Sequence, residues 1–190
     1  MWQRLWRHDR RAFFRTDRPS RVPAPAGYRL DEIASNGFDD DPLLARRGQR
    51  FRERLGGPHR LFRYTDEHGT TAAYAWLTEG PATAPLGSHV RLRVPEGIAY
   101  VWDCRTADDH RGRGLYTALV AGLAAGAAEH GSGTAMICCD PDNEASRRGI
   151  LAAGFGPWQT VDVYRLGPLH AVRRGGRWKI QPSEVDLFDG

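Results

Sequence analysis

The sequence predicts a mixed α/β fold in which helices flank a mixed β-sheet. Two apolar segments, Ile98–Thr106 and Thr134–Cys139, have the length and the β-branched or aromatic content of buried strands. Between them, Leu115–His130 places its apolar residues along one helical stripe. A second helix is predicted over Glu144–Ala153, because Gly154 can end it in the left-handed conformation. Strands that alternate with helices are typical of α/β architecture.

The flanking regions add further elements. Four more strands are predicted upstream, at residues 28–33, 60–65, 71–77 and 90–94. A helix is predicted over Pro42–Leu55, and a loop containing glycine and proline over Glu79–Gly87. Downstream, residues 158–166 are predicted to form a strand and residues 178–180 a short one.

The chain is expected to divide into a basic, aromatic N-terminal appendage with a linker (1–26), a main domain (27–166) and a C-terminal extension (167–190). Arginines alternate with Trp and Phe in the appendage, and Pro19–Ala26 carries three prolines. One interpretation is a helix that packs its aromatic side on the domain. The other is an amphipathic segment, residues 1–18, that contacts an anionic membrane or a protein partner.

Composition limits the class of protein. With 190 residues, 41% of them hydrophobic, the chain can form one compact domain, and no apolar run reaches the ~18–20 residues of a membrane span. Three cysteines without C-x-x-C spacing predict neither a disulfide framework nor a metal site, and a reducing cytoplasmic location is expected. The net charge of +4 comes mainly from arginine, which suits nucleic acid and phosphorylated cofactors equally.

A glycine-rich turn follows the first buried strand. Arg111-Gly112-Arg113-Gly114 leads directly into the helix that begins at Leu115. Glycines at such a turn let the first amides of a helix approach an anion closely, and a pyrophosphate is the natural ligand. The turn is not a nucleotide-binding P-loop, because no lysine is near, and Thr117 excludes the dinucleotide motif G-x-G-x-x-G.

The turn resembles the R-x-x-G-x-[GA] element of the GNAT superfamily, the Gcn5-related N-acetyltransferases. Arg111 and Gly114 match it, and Tyr116 stands where the family has a small residue. Downstream, Asn143 precedes Gly154-Phe155 with the spacing of the family's N-x-x-[AS]-x-x-x-x-x-x-x-G-F element. The two elements lie about thirty residues apart and are separated by one helix and one strand, as in the family.

The resemblance implies a GNAT fold, with a splayed central mixed sheet flanked by helices, and acetyl-CoA or coenzyme A as the cofactor. The splayed strands would be Ile98–Thr106 and Thr134–Cys139. Arg113, Arg147 and Arg148 would either bind the 3′-phosphate of the adenosine or be solvated helix arginines. The cofactor-binding residues that the resemblance implies are Cys104, Arg105, Thr106, Arg111, Gly112, Arg113, Gly114, Leu115, Tyr116, Asn143, Ser146 and Arg147.

The resemblance also implies direct attack of an amine on the thioester, for which the amine must first lose a proton. Asp103 is the candidate base or substrate anchor, and the alternative is a carboxylate bonded to neighbouring backbone or arginine. Ile150 occupies the position where many family members have a tyrosine that acts as general acid. Tyr116 is the candidate catalytic substitute, and Tyr164 and Cys138 are alternatives.

The leading hypothesis is an N-acetyltransferase for a small amine such as an amino sugar, an amino acid or a polyamine. Asp103 with Trp76, Tyr100 and Trp102 suits a compact cationic or sugar-like acceptor. The alternative is a non-catalytic acyl-CoA-binding module, which the missing tyrosine favours. No nucleic-acid partner is expected, because no recognisable binding module is present. The chain could be a monomer or a homodimer.

Overall fold

The computed structural model describes residues 6–33, 41–86, 90–166, 169–181 and 184–188. It contains the strands β1 Trp6–Thr16, β2 Arg29–Ile33, β3 His59–Thr65, β4 Thr71–Glu79, β5 Ala82–Leu86, β6 Val90–Val94, β7 Ile98–Thr106, β8 Thr134–Cys139, β9 Gly156–Leu166, β10 Leu169–Arg174, β11 Arg177–Gln181 and β12 Glu184–Val185. Its helices are α1 Gly48–Leu55, α2 Leu115–Glu129 and α3 Glu144–Ala152. Short 3₁₀ turns at Ala45–Arg47 and Asp108–His110 precede α1 and α2.

Two sheets organise the described residues. The large sheet has the order β11-β10-β9-β1-β8-β7-β4-β3-β2, and the small one has the order β12-β6-β5. In the large sheet β7 and β8 are parallel, and every other neighbouring pair is antiparallel. The crossover from β7 to β8 is α2, as a parallel strand pair requires. The predicted mixed sheet with flanking helices is therefore confirmed.

The large sheet is covered on both faces, so its central strands are apolar on both sides. Ala99 and Val101 of β7 pack in one core cluster with α2 and α3. Tyr100 and Trp102, which alternate with them, belong to a second cluster with Phe51 of α1 and the apolar side chains of β5 and β6. The two core clusters define the two faces on which the candidate site lies.

The N-terminal segment is a central strand. The prediction of a helix is wrong for Trp6–Thr16, because this segment pairs with β8 on one side and β9 on the other. Phe13 and Phe14 point into opposite core clusters and are almost fully buried. Residues 6–16 of the expected appendage are therefore part of the large sheet, and they do not form an amphipathic surface helix. Residues 1–5 lie outside the described part of the chain.

Two other predictions need correction, and one is confirmed. The expected loop over 79–87 contains β5, which forms an antiparallel pair with β6 although it carries Pro85. An edge strand can accept a proline because one of its sides needs no ladder hydrogen bonds. The helix predicted over Pro42–Leu55 is α-helical only from Gly48. The short strand predicted at 178–180 is confirmed, because these residues lie in β11. Together with β10, it continues the large sheet beyond β9.

Candidate active site

The two parallel strands separate at the centre of the sheet, as the family resemblance implies. Their pairing begins at Ile98 with Thr134 and ends at Val101 with Ile137, although both strands continue beyond this point. Opposite β4, β7 accommodates one extra residue near Asp103, whose φ is 44°. Such a bulge bends its strand and increases the local twist. A gap therefore opens between β7 and β8, and clefts lie on both faces of the sheet beside it.

The first cleft, on the face of α2 and α3, has a volume of about 570 Å³. Its lining includes every residue predicted to bind the cofactor except Arg147 and the further phosphate candidate Arg148. Four more residues complete the lining, namely His110, Thr117, Ala145 and Gly149. The fold thus brings together the end of β7, the glycine-rich turn and the start of α3.

The glycine-rich turn has the geometry of an anion site. Gly112 and Gly114 have φ values of 76° and 77°, and an added Cβ at either would meet no heavy atom within 4 Å. Gly114 is the N-cap of α2, and no side chain accepts a hydrogen bond there. The first amides of a fifteen-residue helix are thus left without a side-chain cap. This open, uncapped helix terminus fits the pyrophosphate of coenzyme A.

Asn143 lies across the cleft at the start of α3. Its Oδ1 accepts a hydrogen bond of 3.0 Å from the backbone N–H of Ser146, which is the helix-capping interaction. This bond uses the carbonyl half of the side-chain amide and leaves the Nδ2 donors for a ligand. Asn143 can therefore cap α3 and donate to the pantetheine arm at the same time.

Tyr116 is fixed in the first turn of α2. Its hydroxyl lies 2.8 Å from the Oγ of Ser146. Its ring fills the space beside Gly149, where an added Cβ would lie 2.5 Å from Cδ1 of the tyrosine. Burial raises the pKa of Tyr116 well above its ordinary value, so the phenol stays protonated at neutral pH. The large residue in the place of the family's small one is therefore accommodated by a glycine on the facing helix.

The arginines proposed for the adenosine phosphate differ in their surroundings. Arg113 donates a hydrogen bond of 2.9 Å to the hydroxyl of Tyr28 and one of 3.2 Å to the backbone carbonyl of Asp109. Arg147 donates 3.2 Å to the carbonyl of Pro141 and lies off the cleft. Arg148 pairs with Glu144 at 3.6 Å along α3. Of the three, Arg113 lines the first cleft.

The second cleft lies on the opposite face and has a volume of about 370 Å³. Consecutive residues of β7 separate the two, because Asp103 lines the second cleft and Cys104 the first. The second cleft is lined by Arg11, Arg47, Arg50, Arg54, Pro85, Tyr100, Trp102, Asp103, Cys138 and Cys139. Its four arginines were not predicted as site residues. The available signal was the helical spacing of positions 47, 50 and 54, of which Arg47 is the N-cap of α1 and the other two lie within this helix.

Asp103 is held by two of these arginines. Its Oδ1 lies 3.0 Å from Nη1 of Arg47, and its Oδ2 lies 2.5 Å from Nη1 of Arg54. Both oxygens are therefore engaged, as in the alternative considered for this residue. A substrate ammonium at this carboxylate would have to share its oxygens with the two guanidinium groups.

The alternative proton donors lie in different places. Cys138 is in the second cleft, where its Sγ lies 3.1 Å from the hydroxyl of Tyr100. Burial raises the pKa of Cys138 to about 11. Tyr164 stacks on His8 with the ring centroids 4.4 Å apart, and it lines neither cleft. Ile150 is fully buried in the core, so no side chain at that position faces the gap.

The three cysteines are free thiols. Burial raises the pKa of Cys104, Cys138 and Cys139, so each remains a thiol at neutral pH. A protonated thiol is a poor nucleophile, which argues against a cysteine that carries the acyl group. No three of the His, Cys, Asp and Glu side chains among the described residues are grouped so that they could hold a metal ion.

Most of the chain matches one protein-family model. Residues 6–155 match the sequence model of the acetyltransferase (GNAT) family. The chain belongs to this family. The match begins at β1, so the N-terminal strand is part of the GNAT region. No curated protein shows significant sequence similarity to the chain.

Solved GNAT structures share the fold. A protein from Novosphingobium aromaticivorans assigned to the GNAT acetyltransferases aligns with 84% of this chain and 64% of its own, with a TM-score of 0.59 and 18% identity. A tandem GNAT protein from the clavulanic acid biosynthesis pathway aligns with 88% of this chain and 54% of its own, with a TM-score of 0.56 and 18% identity. An aminoglycoside 6′-N-acetyltransferase from Acinetobacter baumannii aligns with 68% of this chain and 91% of its own, with a TM-score of 0.51 and 15% identity.

At these identities the likeness concerns the fold alone. The chain spans between about half and two thirds of the length of the first two of these proteins. Among the described helices, none is long and apolar enough to cross a lipid bilayer.

Proposed function

We propose that this GNAT protein transfers an acetyl group from acetyl-CoA to the amine of a small acceptor by direct attack. The observation that carries the proposal is the pair of clefts on opposite faces of the gap between β7 and β8. One cleft has an uncapped helix terminus, and the other is of small-molecule size. Asp103 and Cys104, adjacent in the chain, separate them, which suits a reaction between two ligands that meet at the gap.

The residues of the first cleft would hold the cofactor. The amides that follow Gly112 and Gly114 would bind the pyrophosphate, aided by the positive end of the α2 dipole. Asn143 would donate to the pantetheine arm through Nδ2. Arg113, already held by Tyr28, is the best-placed of the three arginines for a phosphate.

Bound acetyl-CoA would supply the thioester. The acceptor ammonium would first lose one proton to water, and its nitrogen would then bond to the carbonyl carbon as the carbon–sulfur bond breaks. CoA would leave as the thiol, and the second proton that the nitrogen loses as the amide forms would return to the group that protonates the sulfur. The bulge at Asp103 and the unpaired edge of β7 after Val101 leave main-chain groups near the gap that could stabilise an oxyanion. Tyr116, protonated at neutral pH, is the proposed donor to the sulfur.

The test combines binding with turnover. Calorimetry with coenzyme A measures the first cleft, and a thiol-release assay with acetyl-CoA and a panel of primary amines measures transfer. We expect saturable coenzyme A binding and amine-dependent thiol release. Protein that binds no coenzyme A would refute the proposal.

The second candidate is a non-catalytic acyl-CoA-binding module. Two observations favour it, namely the buried Ile150 at the family's tyrosine position and the engagement of both Asp103 oxygens. Coenzyme A binding without thiol release on any amine of the panel would support the module and contradict the transferase.

A further inference from the structure

The second cleft is strongly cationic. Among the described residues that line it are four arginines and one carboxylate, and that carboxylate, Asp103, is already paired with two of the arginines. The charge therefore remains positive after every ion pair within the cleft has formed. Such a site repels a polycation and attracts an anion.

Arg54 is the most buried of these arginines. Its side chain is 14% exposed, and its guanidinium carbon lies 4.6 Å from the ring centroid of Trp102 and 5.4 Å from that of Trp76. Stacking on two indoles and the bond to Asp103 fix the plane of the guanidinium. A planar donor group held in this way is preorganised for an oxyanion.

Arg50 is the arginine that is open to a ligand. It is exposed, lies one helical turn from Arg47 and Arg54, and has no carboxylate within ion-pair distance among the described residues. Arg11 reaches the cleft from β1 and pairs with Asp9 at 2.6 Å. Arg50 therefore contributes a cationic group that no described protein anion neutralises.

We infer that the acceptor is an amine that carries an oxyanion, a carboxylate or a phosphate, which the arginines of the second cleft bind. This inference rests on the proposed function and names its substrate class. It opposes the expectation from Asp103 and the aromatic residues, since Asp103 is engaged and Trp76 is buried in the core. Among the acceptors expected from the sequence, the amino acid class fits and the polyamine class does not.

The same charges help the chemistry. A bound ammonium near several guanidinium groups is destabilised relative to the neutral amine, which lowers its pKa. The neutral amine is the form that attacks a thioester. Arginines that hold the acceptor by its anion therefore also favour the reactive form of its nitrogen, and a free carboxylate base is not required.

The test uses pairs of amines that differ in the anion alone. One arm compares amino acids with their amides, a second compares phosphoethanolamine with ethanolamine, and spermidine represents the polyamines. We expect kcat/KM at least about tenfold higher for the anionic member of one arm. The arm with the larger ratio of kcat/KM between anionic and neutral amine shows whether the acceptor's anion is a carboxylate or a phosphate.

Substitution of Arg50 ties the preference to this cleft. Arg50→Gln should reduce the ratio between anionic and neutral amines by about tenfold and leave coenzyme A affinity unchanged. Arg52→Gln is the matched control, because Arg52 lies on the same helix, is exposed and does not line the cleft. It should leave the ratio unchanged.

The outcomes separate the two proposals. Turnover without an anion preference, or turnover fastest with spermidine, would overturn this inference and leave the transferase standing. If coenzyme A binds but no amine reacts, calorimetry of the same anionic amines with the protein–coenzyme A complex decides the inference. Binding that Arg50→Gln weakens would support an anion site in a non-catalytic module, and the absence of binding would overturn it.

Discussion

The hydroxyl of Tyr116 and the Oγ of Ser146 lie 2.8 Å apart, which joins the first turn of α2 to the first turn of α3. Both residues line the first cleft. The contact fixes the tyrosine ring. The ring has space in this position because Gly149 has no side chain. Sequence similarity alone leaves a bulky residue at this position unexplained, and the facing glycine supplies the explanation.

Tyr116→Phe tests whether this hydroxyl donates a proton. Burial raises the pKa of Tyr116, so the phenol is protonated at neutral pH, as a donor must be. We expect kcat with acetyl-CoA and an active amine to fall by at least about tenfold, while the Kd of coenzyme A changes little. Steady-state kinetics and calorimetry measure the two quantities.

Ser146→Ala is the control for this prediction. It removes the hydrogen-bond partner and leaves the phenol in place, so kcat should stay within about threefold of the wild-type value. Equal kcat in Tyr116→Phe and the wild type would show that the hydroxyl serves packing alone.

Gly114→Ala tests the anion site at the start of α2. At a φ of 77°, an alanine strains the backbone by roughly 1–2 kcal/mol and tilts the amides that follow. We expect coenzyme A affinity to fall by at least about tenfold. Calorimetric titration measures this loss.

Gly131→Ala is its matched control. Gly131 lies just beyond the other end of α2, has a φ of 101°, and also has open space around an added Cβ. Both variants should lose similar stability in thermal unfolding. A loss of coenzyme A affinity in Gly131→Ala as large as in Gly114→Ala would mean that the effect comes from stability.

The segment from β7 to Phe155 could be predicted from the sequence because its signals are local. Glycines at the turn, the helical stripe of α2 and the cap at Asn143 each act within a few residues. The strand β1 could not be recognised in the same way. It is buried on both faces near Phe13 and Phe14, so it lacks the alternation of a half-buried strand, and its arginines suggested an amphipathic helix.

The side chains that surround Asp103 in the second cleft could not be predicted from the sequence. That residue was expected to meet a cationic acceptor. Arg54 lies in α1 and Arg47 is the N-cap of this helix, about fifty residues earlier in the chain than Asp103. Both reach Asp103 through the tertiary fold alone. The helical spacing of the arginines was visible in the sequence, but the strand that α1 faces was not.

Asp103→Asn tests whether Asp103 positions the arginines or acts as a base. Loss of the charge leaves Arg47 and Arg54 without their shared carboxylate, so we expect unfolding to become easier by about 1–3 kcal/mol. The KM of the acceptor should change more than kcat, because the arginines that bind it lose their alignment. Thermal unfolding and steady-state kinetics measure both effects.

Asp109→Asn is the control, since the Asp109 side chain is 80% exposed and lies off both clefts. It should alter neither stability nor KM. A fall in kcat of about 100-fold or more in Asp103→Asn, with KM unchanged, would instead identify a general base.

We expect His59 to make the stability of the protein depend on pH. His59 is 9% exposed, and its Nδ1 lies 2.8 Å from the Oγ1 of Thr78. The same Oγ1 accepts a hydrogen bond of 2.9 Å from the Nε1–H of Trp102. Burial lowers the pKa of His59 from 6.5 to about 4. Between these values the unfolded chain binds a proton that the folded chain does not, so stability must fall as the pH falls from 6.5 towards 4.

His59→Gln isolates this contribution, because glutamine can keep a hydrogen bond to Thr78 and does not titrate. The wild type should lose on the order of 3 kcal/mol more than the variant between pH 6.5 and pH 4, from the shift in the pKa of His59. The carboxyl groups whose pKa values are lowered by ion pairs, such as Glu32, weaken both proteins equally over this range. Denaturant unfolding at several pH values measures the difference, and His68→Gln, with a side chain 79% exposed, should retain the wild-type dependence. Parallel curves for the wild type and His59→Gln would mean that the histidine ring is not buried in its neutral form.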